Sequence, residues 1–397
     1  MIFNKRVAAS LLAATAVAKP IFTRQTSGPI RGVNIGGWLV LEPWITPSIF
    51  QQYDGSIVDE YTLTKNAPNA ESVLQAHWAS WATQGDFQKI AGAGLNLVRI
   101  PVGYWAFQKY DGDPYIQGAA EYLDQAIEWA AGAGLNVWVD LHGAPLSQNG
   151  FDNSGQRTTS PGWSTGDTVG FTADVIGEIA KRYGSKSNVV GIELLNEPLT
   201  PVIGRDGTQQ YFQQGFDAVR ASYGGAVPFS DGFLNANEWN GFLTGQNAIV
   251  DHHEYQVFTN ELLQLDWQGH VDKVYSRVSE WAGGADKPVV NGEWTAAMTD
   301  CAPALNGYGI GARYDGTFSR RNYDGTYESS EYIGSCANVN FIDQWSPELK
   351  TATTNYIKAQ IDVSSNQAAG WIFWNFKTEA AAEWDFFRLI DNGIWPS

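Results

Sequence analysis

Short apolar runs alternate with longer amphipathic stretches along most of this chain. The clearest sign of regularity is a repeat: Ala91-Gly92-Ala93-Gly94-Leu95-Asn96 returns as Ala131-Gly132-Ala133-Gly134-Leu135-Asn136. Each copy closes a helical pattern and opens an apolar run. The glycine supplies a left-handed helix cap, and an apolar run without polar alternation reads as a strand buried on both faces. The helices predicted around the repeat are 71–91 and 121–131, and the strands 95–101 and 135–141. The cadence continues through apolar runs at 32–39, 189–195, 227–230, 248–255, 288–292 and 369–376. Helical patterns at 168–183, 209–223, 235–242, 271–281 and 348–361 lie between them. Eight strands alternating with helices predict a single (β/α)8 barrel, a TIM barrel of the α/β class. A doubly wound open sheet is the alternative. It would carry a glycine-rich phosphate loop after an early strand, and residues 32–37 contain no GxGxxG. Long loops after strands one, three, six and seven predict a deep cleft at the C-terminal face.

The first eighteen residues stand outside this cadence. Lys5 and Arg6 precede an apolar stretch from Val7 to Val17, and Ala16-Val17-Ala18 fits a small-residue cleavage site. Residues 1–18 therefore read as a secretory signal peptide. The stretch is too short to span a bilayer as a helix, which takes about 20 residues. Residues 19–30 read as an N-terminal extension and 31–397 as one barrel domain, because no Pro/Ser/Thr-rich linker divides them. Without Lys5 and Arg6 the net charge of −17 becomes −19. An acidic surface argues against nucleic acid or an anionic membrane as partner. A soluble secreted monomer is expected. Secretion makes a disulfide between the two cysteines, Cys301 and Cys336, a reasonable expectation, with two free thiols as the alternative. No CxxC pair or His/Cys cluster suggests a metal, so neither metal nor cofactor is expected. No Asn-x-Ser/Thr sequon is present.

Charged and amide groups are rare on inner strands unless paired. Here they collect at the strand ends, where barrel active sites lie. Trp38 and Glu42-Pro43-Trp44 follow the first strand, Arg99 lies in the second, and His142 ends the third. The later strands end at Asn196-Glu197, His253-Glu254-Tyr255, Glu293-Trp294 and Trp374-Asn375. Two facing glutamates are the minimum machinery for breaking a glycosidic bond: one protonates the leaving oxygen and one attacks the anomeric carbon. Asn196 could hold a sugar 2-hydroxyl beside Glu197, which assigns Glu197 as acid/base and Glu293 as nucleophile. Arg99 and Tyr255 would favour the ionised nucleophile, while His253 and the charge of Glu293 would keep Glu197 protonated. Seventeen Trp exceed what a barrel core needs. Phe151, Phe258, Trp294 and Trp374 fall by the mouth, where sugar faces stack on rings. Trp78, Trp81 and Trp129 read as helix-to-barrel packing.

From about Arg31 to the C-terminus the chain resembles the fungal exo-β-1,3-glucanases (glucan 1,3-β-glucosidases) of glycoside hydrolase family five. The likeness rests on the segment from Arg31-Gly32-Val33-Asn34 to Glu42-Pro43-Trp44, on Val98-Arg99-Ile100-Pro101, and on Asp140-Leu141-His142-Gly143-Ala144-Pro145. It continues in Gln148-Asn149-Gly150-Phe151-Asp152-Asn153, Leu195-Asn196-Glu197-Pro198, Asp251-His252-His253, Gly292-Glu293-Trp294-Thr295 and Trp371-Ile372-Phe373-Trp374. The resemblance implies a secreted retaining enzyme, extracellular or in the cell wall. It would release glucose from the non-reducing ends of β-1,3-glucan polysaccharide or oligosaccharide, with transglycosylation as a side reaction. It makes Glu197 the acid/base and Glu293 the nucleophile, with Arg99, His142, Asn196, His253, Tyr255 and Trp374 lining the glucose subsite. Glu42, Asp152 and Asn153 would hold the terminal sugar's distal hydroxyls, and Phe151 and Phe258 would flank the entrance. Cys301 and Cys336 match a family disulfide. Three positions depart from the pattern: Leu146 stands for glycine, Glu254 for histidine and Ile310 for arginine. The Glu254 side chain is expected to point away from the pocket. An endo-acting β-1,3/1,6-glucanase on the same barrel and a non-catalytic wall-glucan-binding protein are the competing readings.

Overall fold

The computed structural model describes residues 28–396, so the signal-peptide reading and most of the 19–30 extension lie outside the described residues. Eight parallel strands form one sheet in the order β4-β3-β2-β1-β10-β7-β6-β5. They are β1 (Ile30–Asn34), β2 (Leu97–Gly103), β3 (Asn136–Gly143), β4 (Val189–Glu193), β5 (Val227–Ser230), β6 (Ala248–Glu254), β7 (Val289–Trp294) and β10 (Gly370–Phe373). A separate hairpin, β8 (Ser319–Arg321) with β9 (Tyr327–Ser329), sits in the loop after β7. The end strands β4 and β5 meet through a parallel bridge between Gly191 and Ala226. A bond of 3.0 Å from the Leu194 N–H to the Pro228 carbonyl continues that ladder. The sheet therefore closes into the (β/α)8 barrel that the alternation predicts, and the open sheet is excluded.

Strand side chains alternate between the two faces. Val98, Val137, Val139, Val189, Ile192, Phe229, Val250 and Val289 belong to the large cluster that packs strands against helices. Their neighbours Leu97, Trp138, Val190, Ile249, Val290 and Ile372 point inward and form, with Ile30 and Ala226, a separate apolar plug inside the barrel. Two glycines make this interior fit. A Cβ at Gly191 would lie 2.0 Å from the Trp138 ring, and one at Gly292 would lie 1.7 Å from the Asp251 carboxylate.

Helix Thr168–Tyr183 and strand Val227–Ser230 fall where the pattern places them. The long helix expected at 71–91 is two helices, Ala70–Ser80 and Gln84–Gly92. The break comes at Thr83, whose side chain and that of Asp86 form a capping box that starts a new helix. The helix expected at 235–242 is only a 3-10 turn, Ala236–Trp239. The first strand ends at Asn34 rather than at 39, although Leu39 still meets Val102 of β2 through an isolated parallel bridge. Cys301 and Cys336 are bonded and clamp the loop that carries β8 and β9. No helix among the described residues is long and apolar enough to cross a membrane.

Candidate active site

Two residues further along the same inward faces, the apolar plug gives way to charge. Arg99, fully buried, sits at the centre. Its Nε donates to Glu193 Oε2 at 2.7 Å and its Nη2 to Glu193 Oε1 at 3.1 Å, a bidentate fork. The same guanidinium donates to Asn34 Oδ1 at 3.0 Å, Asn196 Oδ1 at 2.9 Å and Glu293 Oε1 at 2.8 Å. Asp140 and Asp251 lie 3.2 and 3.5 Å from Nη2. One cation thus aligns two strand-end groups, Asn196 and Glu293, from opposite sides of the barrel.

Glu293 ends β7. Its Oε2 accepts from the Tyr255 hydroxyl at 2.8 Å. Glu197 lies just beyond β4 with φ of +44°, a left-handed conformation that aims the side chain back over the mouth. His253 lies between them, its Nδ1 2.8 Å from Glu197 Oε1 and 3.4 Å from Glu293 Oε2. The His253 nitrogen and one oxygen of each glutamate all lie within 4.8 Å of one another. The other Glu197 oxygen accepts from Asn153 Nδ2 at 3.2 Å. Below, Asp140 holds His142 through Nδ1 at 2.6 Å, and His142 stacks on Trp374 with centroids 5.6 Å apart. Asn196 Nδ2 makes a long 3.5 Å contact to His142 Nε2.

The electrostatics correct one expectation. Burial disfavours a charge on His253, but Glu293 and Asp251 overcome it and hold its pKa well above the usual range. Burial pushes Glu197 up, yet the His253 hydrogen bond and charge, with His142, outweigh it and hold Glu197 below its ordinary value. His253 therefore favours the ionised form of Glu197 in the free site and does not keep it protonated. In the free site these directions leave the proton on His253. Glu293 is raised by burial and by the Glu197 charge, against the pull of His253 and Arg99.

Two buried carboxyls mark one end of the site, near enough to Glu197 and Glu293 for the charges to act on one another. Glu42 Oε2 accepts from Trp44 Nε1 at 2.9 Å, while Glu42 Oε1 has no hydrogen-bond partner among the described residues. Asp152 Oδ2 is likewise unpartnered. Burial, then mutual repulsion, holds Glu42 well above the carboxylate range. Burial raises Asp152 to about 7. At the other end Phe258 is exposed and packs edge-on against Tyr255 at 5.6 Å, and Phe151 meets Phe233 edge-on at 6.2 Å.

Trp294 is not at the mouth. It is fully buried behind the wall against Trp371, Phe373 and Trp395, because period-two alternation turns it outward when Glu293 faces in. Glu254 does point away, toward His252 at 3.2 Å and Arg277 at 3.1 Å. Leu146 adopts φ of +61°, the conformation that suits the family's glycine. Sequence reasoning missed Glu193, Asn34 and Phe233. Inward alternation from Val190 across an irregular register marks Glu193 only in retrospect, and Phe233 lies on a loop with no pattern.

Comparison with known proteins agrees with this geometry. Residues 63–309 match Cellulase (glycosyl hydrolase family 5). A probable glucan 1,3-β-glucosidase A of Aspergillus fumigatus is 47% identical over 94% of this chain and 88% of its own. Glucan 1,3-β-glucosidases of Lachancea kluyveri and Candida oleophila are 46% and 42% identical, over 92% and 97% of this chain and 86% and 95% of theirs. Among solved structures, a rutinosidase from Aspergillus niger superposes with a TM-score of 0.73 at 20% identity, over 93% of this chain and 98% of that one. The endoglucanase Cel5A of Thermotoga maritima gives 0.52 at 16%, over 91% and 96%. These two are similar in fold. With a family match over most of the barrel and relatives this similar across nearly the whole length, the chain belongs to glycosyl hydrolase family 5.

Proposed function

We propose that this hydrolase is a secreted retaining exo-β-1,3-glucosidase that takes single glucose units from the non-reducing ends of β-glucan. The observation that carries the reading is the pair Glu197 and Glu293, whose carboxylate oxygens approach within 4.8 Å. Retaining enzymes hold the two carboxyls about 5–5.5 Å apart, whereas inverting ones need about 6.5–9.5 Å to admit a water. Glu293 attacks the anomeric carbon as the bond to the leaving oxygen breaks. Glu197, replenished through its 2.8 Å contact with His253, delivers the proton to that oxygen. Glu197 then takes a proton from water, the water oxygen bonds to the anomeric carbon, and Glu293 leaves as carboxylate. Arg99 and the Tyr255 hydroxyl each hold one Glu293 oxygen, which orients the nucleophile. The loosely held Asn196 amide faces the 2-hydroxyl, His142 stacked on Trp374 lines the subsite floor, and Asn153 braces Glu197.

The exo preference rests on the closed end. Glu42 Oε1 and Asp152 Oδ2 are buried acceptors without partners among the described residues, a costly arrangement unless a ligand's hydroxyls meet them. They suit the distal hydroxyls of a terminal sugar and, on this reading, close the cleft to a further unit. Phe151 and Phe258 flank the open side and stack on the next glucose. An acceptor sugar held there in place of water gives transglycosylation. The chain acts as a monomer, as one barrel domain over residues 31–397.

The test is a time-resolved product assay on linear β-1,3-glucan, with proton NMR of the first-formed anomer. β-Glucose as the sole early product is the expected outcome. A ladder of oligosaccharides would replace exo with endo action, and initial α-glucose would rule out retention.

A further inference from the structure

Helix Glu60–Asn66 lies outside the cleft, yet its first turn touches both walls of the closed end. Glu60 is fully buried. Its Oε2 accepts from the backbone N–H of Leu41, the residue before Glu42, at 2.9 Å. Its Oε1 accepts from Trp105 Nε1 at 2.8 Å.

Trp105 is a wedge. A Cβ at Gly103, Gly143 or Gly155 would lie 2.4, 2.8 or 2.3 Å from its ring, so three backbones press directly on it. Gly155 caps the turn Asp152–Ser154 that carries Asp152 and Asn153. Two neighbours of Glu60 grip the same loop. Asp59 Oδ2 accepts from the Arg157 N–H at 2.6 Å, and the Tyr61 N–H donates to the Gly155 carbonyl at 2.9 Å.

We infer that Glu60 is a specificity-determining positioning residue, which spans the Glu42 wall and the Asp152–Asn153 wall and fixes the gap that reads the distal hydroxyls of the terminal glucose. This rests on the pocket reading above. A purely packing role would need only a group of the same volume. The spanning role needs two acceptors. In either protonation state both carboxyl oxygens keep a lone pair for these donors, whereas the amide nitrogen of glutamine has none. Glu60→Gln therefore sets a donor against either Leu41 N–H or Trp105 Nε1–H and releases one wall.

The readout is the ratio of kcat/KM for 4-nitrophenyl β-glucoside over its C4 epimer, 4-nitrophenyl β-galactoside, in the full-length enzyme. Glu60→Gln is expected to lower that ratio about tenfold by misplacing the wall. Trp105→Phe keeps an aromatic wedge, removes the Nε1 donor, and is expected to lower the ratio by a smaller factor. Glu42→Ala serves as the reference for the pocket. If Glu42→Ala lowers the ratio and a folded Glu60→Gln leaves it unchanged, the spanning role is overturned while the pocket stands. If Glu42→Ala leaves the ratio unchanged, the pocket reading itself fails. Should Glu60→Gln not fold, an unchanged ratio in Trp105→Phe overturns the inference on its own.

Discussion

The lower and upper interiors of this barrel are made by the same strands, two residues apart, and have opposite chemistry. Below lie Leu97, Trp138, Ile249 and Ile372, apolar and buried. Above lie Arg99, Asp140, Asp251 and Trp374, all buried. The lower layer gains stability from burial, about 25 cal/mol per Å² of apolar surface removed from water. The upper layer gives that up, because buried charges at best recover their desolvation cost through partners. Arg99 is the compensation: one cation paired with several carboxylates makes the layer tolerable and aims Glu293. The contrast shows why the catalytic end can be strained and polar while the molecule remains stable.

The most severe way to break the contrast is at the upper end. Glu293→Gln removes the proposed nucleophile and is expected to cost about 10⁴-fold or more in kcat. The melting temperature should not fall, since a buried charge has been removed. Residual turnover above one per cent of wild type on β-1,3-glucan would refute the assignment of Glu293. Arg99→Met should lose both properties. Leaving Asp140, Glu193 and Asp251 without their cation is expected to cost about 3–5 kcal/mol by denaturant unfolding, together with most of the activity. A stable, inactive Arg99→Met would mean that Arg99 serves chemistry alone.

The pH dependence of stability sharpens the comparison next. Burial raises Asp152 and Glu60 to about 7 and Glu383 to about 8. His252 rises to about 9: burial opposes this, but Asp231 and Glu254 win. All four hold protons more tightly folded than unfolded, so their contribution is present at low pH and is lost as pH rises through 7–9. His77 and His270, held near 4 by burial, act the other way below about 6.5. Stability should therefore peak on the acid side of neutrality and decline toward pH 9, and the melting temperature should fall with it. A profile rising from pH 6.5 to 9 would contradict the charge states given. The mildest test is Ile249→Val in the lower plug, expected to cost about 1 kcal/mol of stability with kcat unchanged. A kcat loss there would show that the two layers are coupled.

Much of this was readable from the chain. The helix-glycine-strand repeat at 91–96 and 131–136 exposed the barrel, and strand-end position singled out Glu197, Glu293, His142 and His253. Boundaries were weaker, because the capping box at Thr83 splits one helical pattern in two. Trp294 was misplaced because a composition argument about aromatics ignored which face it occupies. Glu193 was passed over because a glutamate inside an apolar strand has no meaning until its partner is known.

Sequence by itself determined the alternation of strands and helices and the chemical identity of the groups at the strand ends, since both depend on local pattern. It also carried the family resemblance that pointed to a β-glucan end. Only the tertiary structure decided which of those groups face one another. The distance between Glu197 and Glu293, the fork of Arg99 on Glu193, the reversed influence of His253 and the span of Glu60 between two loops all arise from residues far apart in the chain. Their charge states follow from burial and from partners across the barrel, and neither exists before the sheet closes.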